Sequence, residues 1–174
     1  VYQWTNFWDF VIYYVVTGGV VLFANIITYQ GRGKQILTVT ALQAVEVMGI
    51  AMAAALPFTL SFEGMTQGVA LAQNHSALYQ LCVLWGLPTA LVVIYILRLL
   101  WGRMRQKVHD ILGEITPADL YILILGLCAI GLIVIPELVY VRDIYENGNA
   151  RSNTMFKLTY QAYLMFGLSM AYII

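Results

Sequence analysis

The sequence predicts an all-α membrane protein that crosses a bilayer about five times. Its 174 residues are 61% hydrophobic and only 10% charged, and the mean hydropathy is +0.77. Soluble domains carry roughly 25% charged residues, so this composition excludes an ordinary soluble fold. The apolar residues also fall into five runs, and each run approaches the length of about 20 residues that a spanning helix needs.

Each apolar run is predicted to be a helix, because backbone in lipid must satisfy its hydrogen bonds internally. In chain order the predicted spans are residues 7–28, 37–60, 78–101, 118–136 and 155–174. The fourth has the clearest start: Thr116 can cap it, Pro117 suits the first helical position, and Asp119 completes a capping box. Pro57 and Pro88 are expected to kink or end their helices.

The chain shows no internal repeat and no low-complexity linker, so residues 1–174 are expected to form one helical membrane domain. Because it begins at Val1 and ends at Ile174 inside an apolar run, we expect a segment of a longer polypeptide. Cys82 and Cys128 both lie inside apolar runs. They are therefore expected to be small core residues and not part of a disulfide or metal framework.

Basic residues in the connections predict the orientation. The connections at 29–36 and 102–117 contain Arg32, Lys34, Arg103, Arg105, Lys107 and His109. By the positive-inside rule both connections are cytoplasmic, which places the N-terminal end and the connections at 61–77 and 137–154 outside. We therefore expect a multi-pass protein of the plasma membrane whose polar chemistry faces outward.

Charge is concentrated from the end of the fourth span to the start of the fifth, in residues 135–163. Of the eighteen charged residues, nine basic and nine acidic, six lie in this region: Glu137, Arg142, Asp143, Glu146, Arg151 and Lys157. A carboxylate such as Glu137 at the end of an apolar helix is costly unless it is paired or hydrated. Two interpretations stay open here, a charged clasp between helix end and loop or a site that faces a substrate.

Three of these cations form a candidate phosphate site: Arg142, Arg151 and Lys157. Arginine can grip phosphate bidentately and lysine adds a point charge, while the start of the fifth span supplies amide donors. Supporting roles are predicted for Asp9, Glu137, Asp143, Asn153, Tyr160 and Gln161. The alternative interpretation of Lys157 is an anchor that extends toward the membrane surface.

A single acid, Glu46, lies inside the second span, with Gln43 on the same face. An ionisable residue inside a membrane suggests function, although a hydrogen-bonded packing contact is the alternative. The span contains no second acid and no histidine. We therefore predict that Glu46 is not the working residue of a proton pathway.

Several motifs resemble the family of YYY-domain polytopic membrane proteins. The segments "PELVYVRD", "RSNTMFKLTYQAYLMFGL", "TNFWDFVIY" and "LPFTLSF" carry the resemblance, in the family's order. The matching positions are Asn6, Trp8, Asp9, Pro57, Phe58, Phe62, Pro136, Glu137, Tyr140, Arg142, Asp143, Arg151, Asn153, Thr154, Phe156, Lys157, Tyr160 and Gln161.

That family is similar to membrane glycosyltransferases of the C-type fold, which take sugars from polyprenyl-phosphate carriers outside the cytoplasm. The resemblance implies that Arg142, Arg151 and Lys157 hold the lipid-linked phosphate. In such enzymes the catalytic base lies in an outer loop near the N-terminus, upstream of the residues seen here. No catalytic residue of this chain is therefore named.

Three functions follow, in order of preference: part of a glycosyltransferase, an accessory subunit of a larger membrane complex, and a transporter. An outward-only polar cluster favours the enzyme, helix surfaces covered by other chains favour the subunit, and a polar path through Glu46 favours transport. The expected partners are membrane lipids and a lipid-linked sugar donor, with other membrane subunits in the second case. No nucleic acid, metal or cofactor is expected, since no phosphate-binding loop, nucleophile elbow or Cys/His metal spacing occurs.

Overall fold

The computed structural model describes residues 7–30, 32–61, 68–101, 108–142 and 150–174, most of them helical. In our numbering the helices are α1 (Phe7–Tyr29), α2 (Gly33–Thr59), α3 (Leu78–Leu100), α4 (Val108–Glu114), α5 (Pro117–Leu138) and α6 (Ser152–Ile173). Two short strands are β1 (Val69–Leu71) and β2 (Val139–Val141). The predicted helical membrane fold is confirmed, and a helix occupies each of the five predicted spans.

Four of the described helices are long and apolar enough to cross a membrane: Trp8–Tyr29, Gly33–Thr59, Leu78–Leu100 and Pro117–Leu138. Even the shortest of them, at 22 residues, is about 33 Å long, which matches a hydrocarbon core of about 30 Å. Helix α6 also has 22 residues, but its first turns contain Asn153, Thr154 and Lys157. Its crossing of the membrane stays a prediction.

The local signals at the helix ends have mixed outcomes. The Thr116 hydroxyl accepts a hydrogen bond from the Asp119 amide at 3.2 Å, so the predicted cap of α5 is confirmed. Pro57 lies two residues before the end of α2, as expected. Pro88 does not end its helix, since α3 continues to Leu100, and a kink at Pro88 stays a prediction.

The chain divides into two compact units. The first combines Val1–Phe62 with Arg98–Ile124, and the second combines Glu63–Leu97 with Leu125–Ile174. The prediction of one helical domain stays a prediction.

In the first unit, polar contacts join α1 and α2. The buried Asn25 side chain donates to Thr40 Oγ1 at 2.9 Å and to Gln43 Oε1 at 2.7 Å. Nearer the start of α1, the Tyr14 hydroxyl donates to the Ala44 carbonyl at 2.8 Å. Such hydrogen bonds between helices are typical of membrane proteins, where the hydrophobic effect does not drive helices together.

In the second unit, α6 contributes a buried face whose residues recur every three or four positions: Thr154, Leu158, Gln161, Ala162, Met165, Phe166 and Ser169. The Phe166 ring stacks with Trp85 of α3 at a centroid distance of 6.1 Å. Gly126 of α5 faces Val92 of α3, and a β-carbon at Gly126 would lie 2.5 Å from Val92 Cγ1. Only glycine allows this close approach of α5 to α3.

A two-stranded antiparallel sheet, which the sequence did not predict, fixes the loop that precedes α3. Val69 pairs with Val141 and Leu71 pairs with Val139. One further hydrogen bond, from the Ala72 amide to the Leu138 carbonyl at 2.9 Å, carries the pairing to the end of α5. Residues 72–76 are thereby held next to the C-terminal end of α5.

The exposure of Cys82 contradicts one expectation about the cysteines. Both are free, but Cys82 is exposed on α3 while Cys128 is half-buried. The expectation that Cys82 is a core residue is wrong. In a membrane-spanning helix the surface that meets lipid is as apolar as the core, so an apolar run does not reveal which of its residues are buried.

Candidate functional site

The carboxylate of Glu137, one residue before the end of α5, organises the polar end of the second unit. Glu137 Oε1 accepts a hydrogen bond from the Ser76 hydroxyl at 2.7 Å and pairs with Arg151 Nη1 at 2.8 Å. Glu137 Oε2 accepts from the Ser76 amide at 2.8 Å. Because the Glu137 and Arg151 side chains are only 15% and 16% exposed, this ion pair is largely shielded from water.

The Arg151 guanidinium makes two further bonds. Nη1 donates to the Pro136 carbonyl at 3.1 Å, and Nη2 donates to Ser76 Oγ at 3.1 Å. We call Ser76, Glu137 and Arg151 the Glu137 clasp. It joins the end of α5, the loop before α3 and the residue that precedes α6.

His75 borders the clasp. Its Nδ1 lies 2.9 Å from the Glu137 carbonyl oxygen, and because a carbonyl only accepts, Nδ1 carries the hydrogen in this contact. The His75 side chain is 60% exposed and its Nδ1 lies 3.9 Å from Glu137 Oε2. His75 therefore lies at the solvent-exposed edge of the clasp.

A cavity of about 290 Å³ opens beside the clasp. The residues that line it come from the loop after β1, from β2 and from the start of α6: Ala72, Gln73, Asn74, Tyr140, Ala150, Arg151, Ser152 and Met155. Arg151 belongs to both the clasp and the cavity wall. The clasp thus fixes the position of a cationic wall residue.

The beginning of α6 also lies at this cavity. Its first intrahelical hydrogen bond runs from the Met155 amide to the Arg151 carbonyl at 2.8 Å, and the Arg151 side chain does not cap the helix. The first amides of a helix have no partner within the helix and carry partial positive charge. The cavity is therefore lined by an arginine that is paired with Glu137, and it lies beside a helix N-terminus, which favours an anion.

A comparison with known protein families identifies the family of this chain. The family model described as uncharacterized membrane protein (DUF2298) matches residues 1–118 and 99–166. The chain belongs to the DUF2298 family. No curated protein and no solved structure matches it. The resemblance to YYY-domain proteins and to glycosyltransferases stays a prediction.

In this DUF2298 protein, one of the three cations predicted to bind phosphate lines the cavity and the other two do not. Arg151 lines the cavity, whereas Arg142 is exposed directly after β2 and Lys157 is half-buried on α6. Neither Arg142 nor Lys157 belongs to the described lining of the cavity. The convergence of all three cations on one ligand stays a prediction.

The residues predicted to support the phosphate site also lie apart from one another. Glu137 is part of the clasp, while Asp9 lies in the first turn of α1 and Asp143 lies outside the described residues. On α6, Gln161 is buried and Tyr160 is 54% exposed, and Asn153 is half-buried. The predicted supporting residues on α6 are therefore divided between the core and the surface.

Glu137 pairs with Arg151, 14 residues further along the chain, a pairing that the sequence did not predict. Sequence reasoning did not identify Ser76 or His75 as partners, because they lie 61 and 62 residues from Glu137. Within the described residues, no group of three His, Cys, Asp or Glu side chains is arranged to hold a metal ion.

Proposed function

We propose that this chain is part of a membrane glycosyltransferase that takes a sugar from a polyprenyl-phosphate carrier at the outer face of the plasma membrane. The observation that carries the proposal is the position of Arg151, which lines a cavity beside the N-terminus of α6. The resemblance of the motifs around Glu137 and Arg151 to YYY-domain proteins supports the same conclusion.

The chemistry of the cavity suits a phosphate head group. Arg151 donates three hydrogen bonds, to Glu137, to the Pro136 carbonyl and to Ser76. A guanidinium has five N–H donors, so two of them have no partner among the residues that the structure describes. The side chains of Gln73, Asn74 and Ser152 add neutral hydrogen-bonding groups to the wall. A volume of about 290 Å³ is near the lower limit for small-molecule sites, which suits a head group whose hydrocarbon tail stays in the membrane.

The depth of the site fits a substrate with a lipid tail. Glu137 lies 20 residues after Pro117 along α5, which is about 30 Å of helix and so about the thickness of the hydrocarbon core. The clasp is therefore expected at the membrane boundary, at the end of α5 away from the basic 102–117 connection. We propose that this boundary is the outer one, because the positive-inside rule places the basic connection inside.

The binding of polyprenyl phosphate to the purified chain in lipid nanodiscs tests this function. Asn74→Ala removes a wall residue outside the clasp, and Arg151→Ala removes the cation. Each change is expected to weaken binding by about one to two orders of magnitude, since a hydrogen bond to a charged group contributes roughly 1.5–3 kcal/mol. Lys157→Ala is expected to do the same if Lys157 also reaches the phosphate.

Lys34→Ala is the matched control, because this exposed lysine lies at the start of α2, in a connection predicted to be cytoplasmic. Its affinity should equal that of the parent chain. Thermal unfolding separates lost binding from lost structure, since Asn74→Ala should leave the clasp intact. Parental affinity in both Asn74→Ala and Arg151→Ala would refute the site and leave the cluster as a structural clasp.

A further inference from the structure

Helix α2 carries a carboxylate at its midpoint. Glu46 lies 13 residues after Gly33 and 13 before Thr59, the two ends of the helix. Each end is about 20 Å away along the axis, so Glu46 is near the middle of the bilayer. Its side chain is exposed, and it makes no hydrogen bond or ion pair with any residue that the structure describes.

The side of α2 that packs on α1 is centred on other residues, although it includes Gln43, which hydrogen-bonds with α1 about 60° round the helix from Glu46. Ala44 and Val47 line the crevice between these helices, and Ala44 accepts the hydrogen bond of Tyr14. Side chains two positions apart in a helix, such as those of Ala44 and Glu46, point in directions that differ by about 160°. Glu46 therefore points away from the α1 contact that Ala44 makes.

The surface around Glu46 contains small residues that allow close contact with another helix. Leu42 lies four residues before Glu46, and Gly49 and Ala53 lie three and seven residues after it. All three therefore share its face of the helix, and all are exposed. A β-carbon added at Gly49 would meet no atom within 4 Å. Small residues at spacing four let helix backbones approach closely in membranes. We call these four residues the Glu46 face.

We propose that the Glu46 face binds a transmembrane helix of a partner subunit, and that this helix presents a hydrogen-bond donor, cationic or amide, at mid-bilayer. The argument is complementarity: an acceptor of this strength in hydrocarbon is costly without a donor, and lipid tails provide none. A glutamate side chain is also far too short to reach the membrane surface about 20 Å away. The proposal is independent of the Arg151 cavity.

Site-specific photo-crosslinking in native membranes tests the proposal on the full chain. Benzoylphenylalanine at Leu42 and at Ala53 should give adducts with one and the same partner span, and peptide sequencing should find Lys, Arg, His, Asn or Gln inside that span. Met52 is the control, because it is 58% exposed but lies about 120° round the helix from Glu46. It should give little of that adduct.

Variants of Glu46 test the chemistry of the contact. Glu46→Leu should reduce the adduct from Ala53 about tenfold, as expected when a strong hydrogen bond is lost, and it should fold normally because leucine suits lipid. Glu46→Gln should retain most of the adduct, since an amide still hydrogen-bonds. The proposal is overturned by adducts to lipid, to a second copy or to another segment of this chain, or by an undiminished adduct in Glu46→Leu.

Discussion

The Glu137 carboxylate shows how one charge is accommodated at the end of an apolar helix. Its two oxygens accept three hydrogen bonds, two of them from Ser76 and one from the Arg151 guanidinium. Ser76 is central, since its hydroxyl donates to Glu137 and accepts from Arg151 at once. Removing that hydroxyl leaves two charged groups with one partner fewer each.

Ser76→Ala is therefore expected to lower the free energy of unfolding by roughly 1–3 kcal/mol, the cost of leaving shielded polar groups unsatisfied. Ser61→Ala is the matched control, because the Ser61 hydroxyl is exposed and its hydrogen bond among the described residues is to the Pro57 carbonyl one turn away. It should change the free energy by no more than about 0.5 kcal/mol. Equal effects in detergent-solubilised protein would contradict the role given to Ser76.

At this scale the sequence predicted the charged residues but not their neutral partner. Glu137 and Arg151 were noticeable because charge is rare in this chain. The role of Ser76 was not, because no sequence pattern indicates that its hydroxyl meets a carboxylate 61 residues away. Its position depends on the pairing of β1 with β2, and two three-residue strands are too short to recognise from alternation of polar and apolar residues.

Among the elements, helices were the easiest to predict, because a run of about 20 apolar residues has few other structural solutions in a membrane. Boundaries were less certain, since α2 begins at Gly33 and not at residue 37. The contacts between helices were harder still. Gly126 is one of several glycines in apolar runs, and only the structure shows that its contact with Val92 requires glycine.

Gly126→Ala is expected to destabilise the protein by about 1–3 kcal/mol, because the added methyl group overpacks the contact with Val92. Gly131→Ala in the same helix is the control, since a β-carbon there meets nothing within 4 Å. It should be neutral or slightly stabilising, as alanine favours helix. Thermal unfolding of both variants in one detergent compares them, and a Gly126→Ala variant as stable as Gly131→Ala would contradict the packing described.

For the whole molecule, the predicted orientation places the cavity outside. After Cys82 and Cys128 are replaced by serine, single cysteines at Gly33 and Ala70 test it in intact cells with a membrane-impermeant maleimide. Ala70 should be labelled directly, and Gly33 only after the membrane is permeabilised. Labelling of Gly33 alone from outside would place the cavity on the cytoplasmic side and remove the basis for an extracytoplasmic donor.

The central claim, that the cavity beside Arg151 receives a lipid-linked phosphate, is tested most directly by a polyprenyl phosphate with a photoreactive group next to its phosphate. In proteoliposomes of the purified chain, adducts should concentrate in peptides that contain residues 72–76 and 150–155. They should fall about tenfold or more with Arg151→Ala, or when the probe is the matching polyprenol without phosphate. Adducts spread evenly over the spanning helices and unaffected by the phosphate or by Arg151 would contradict the account.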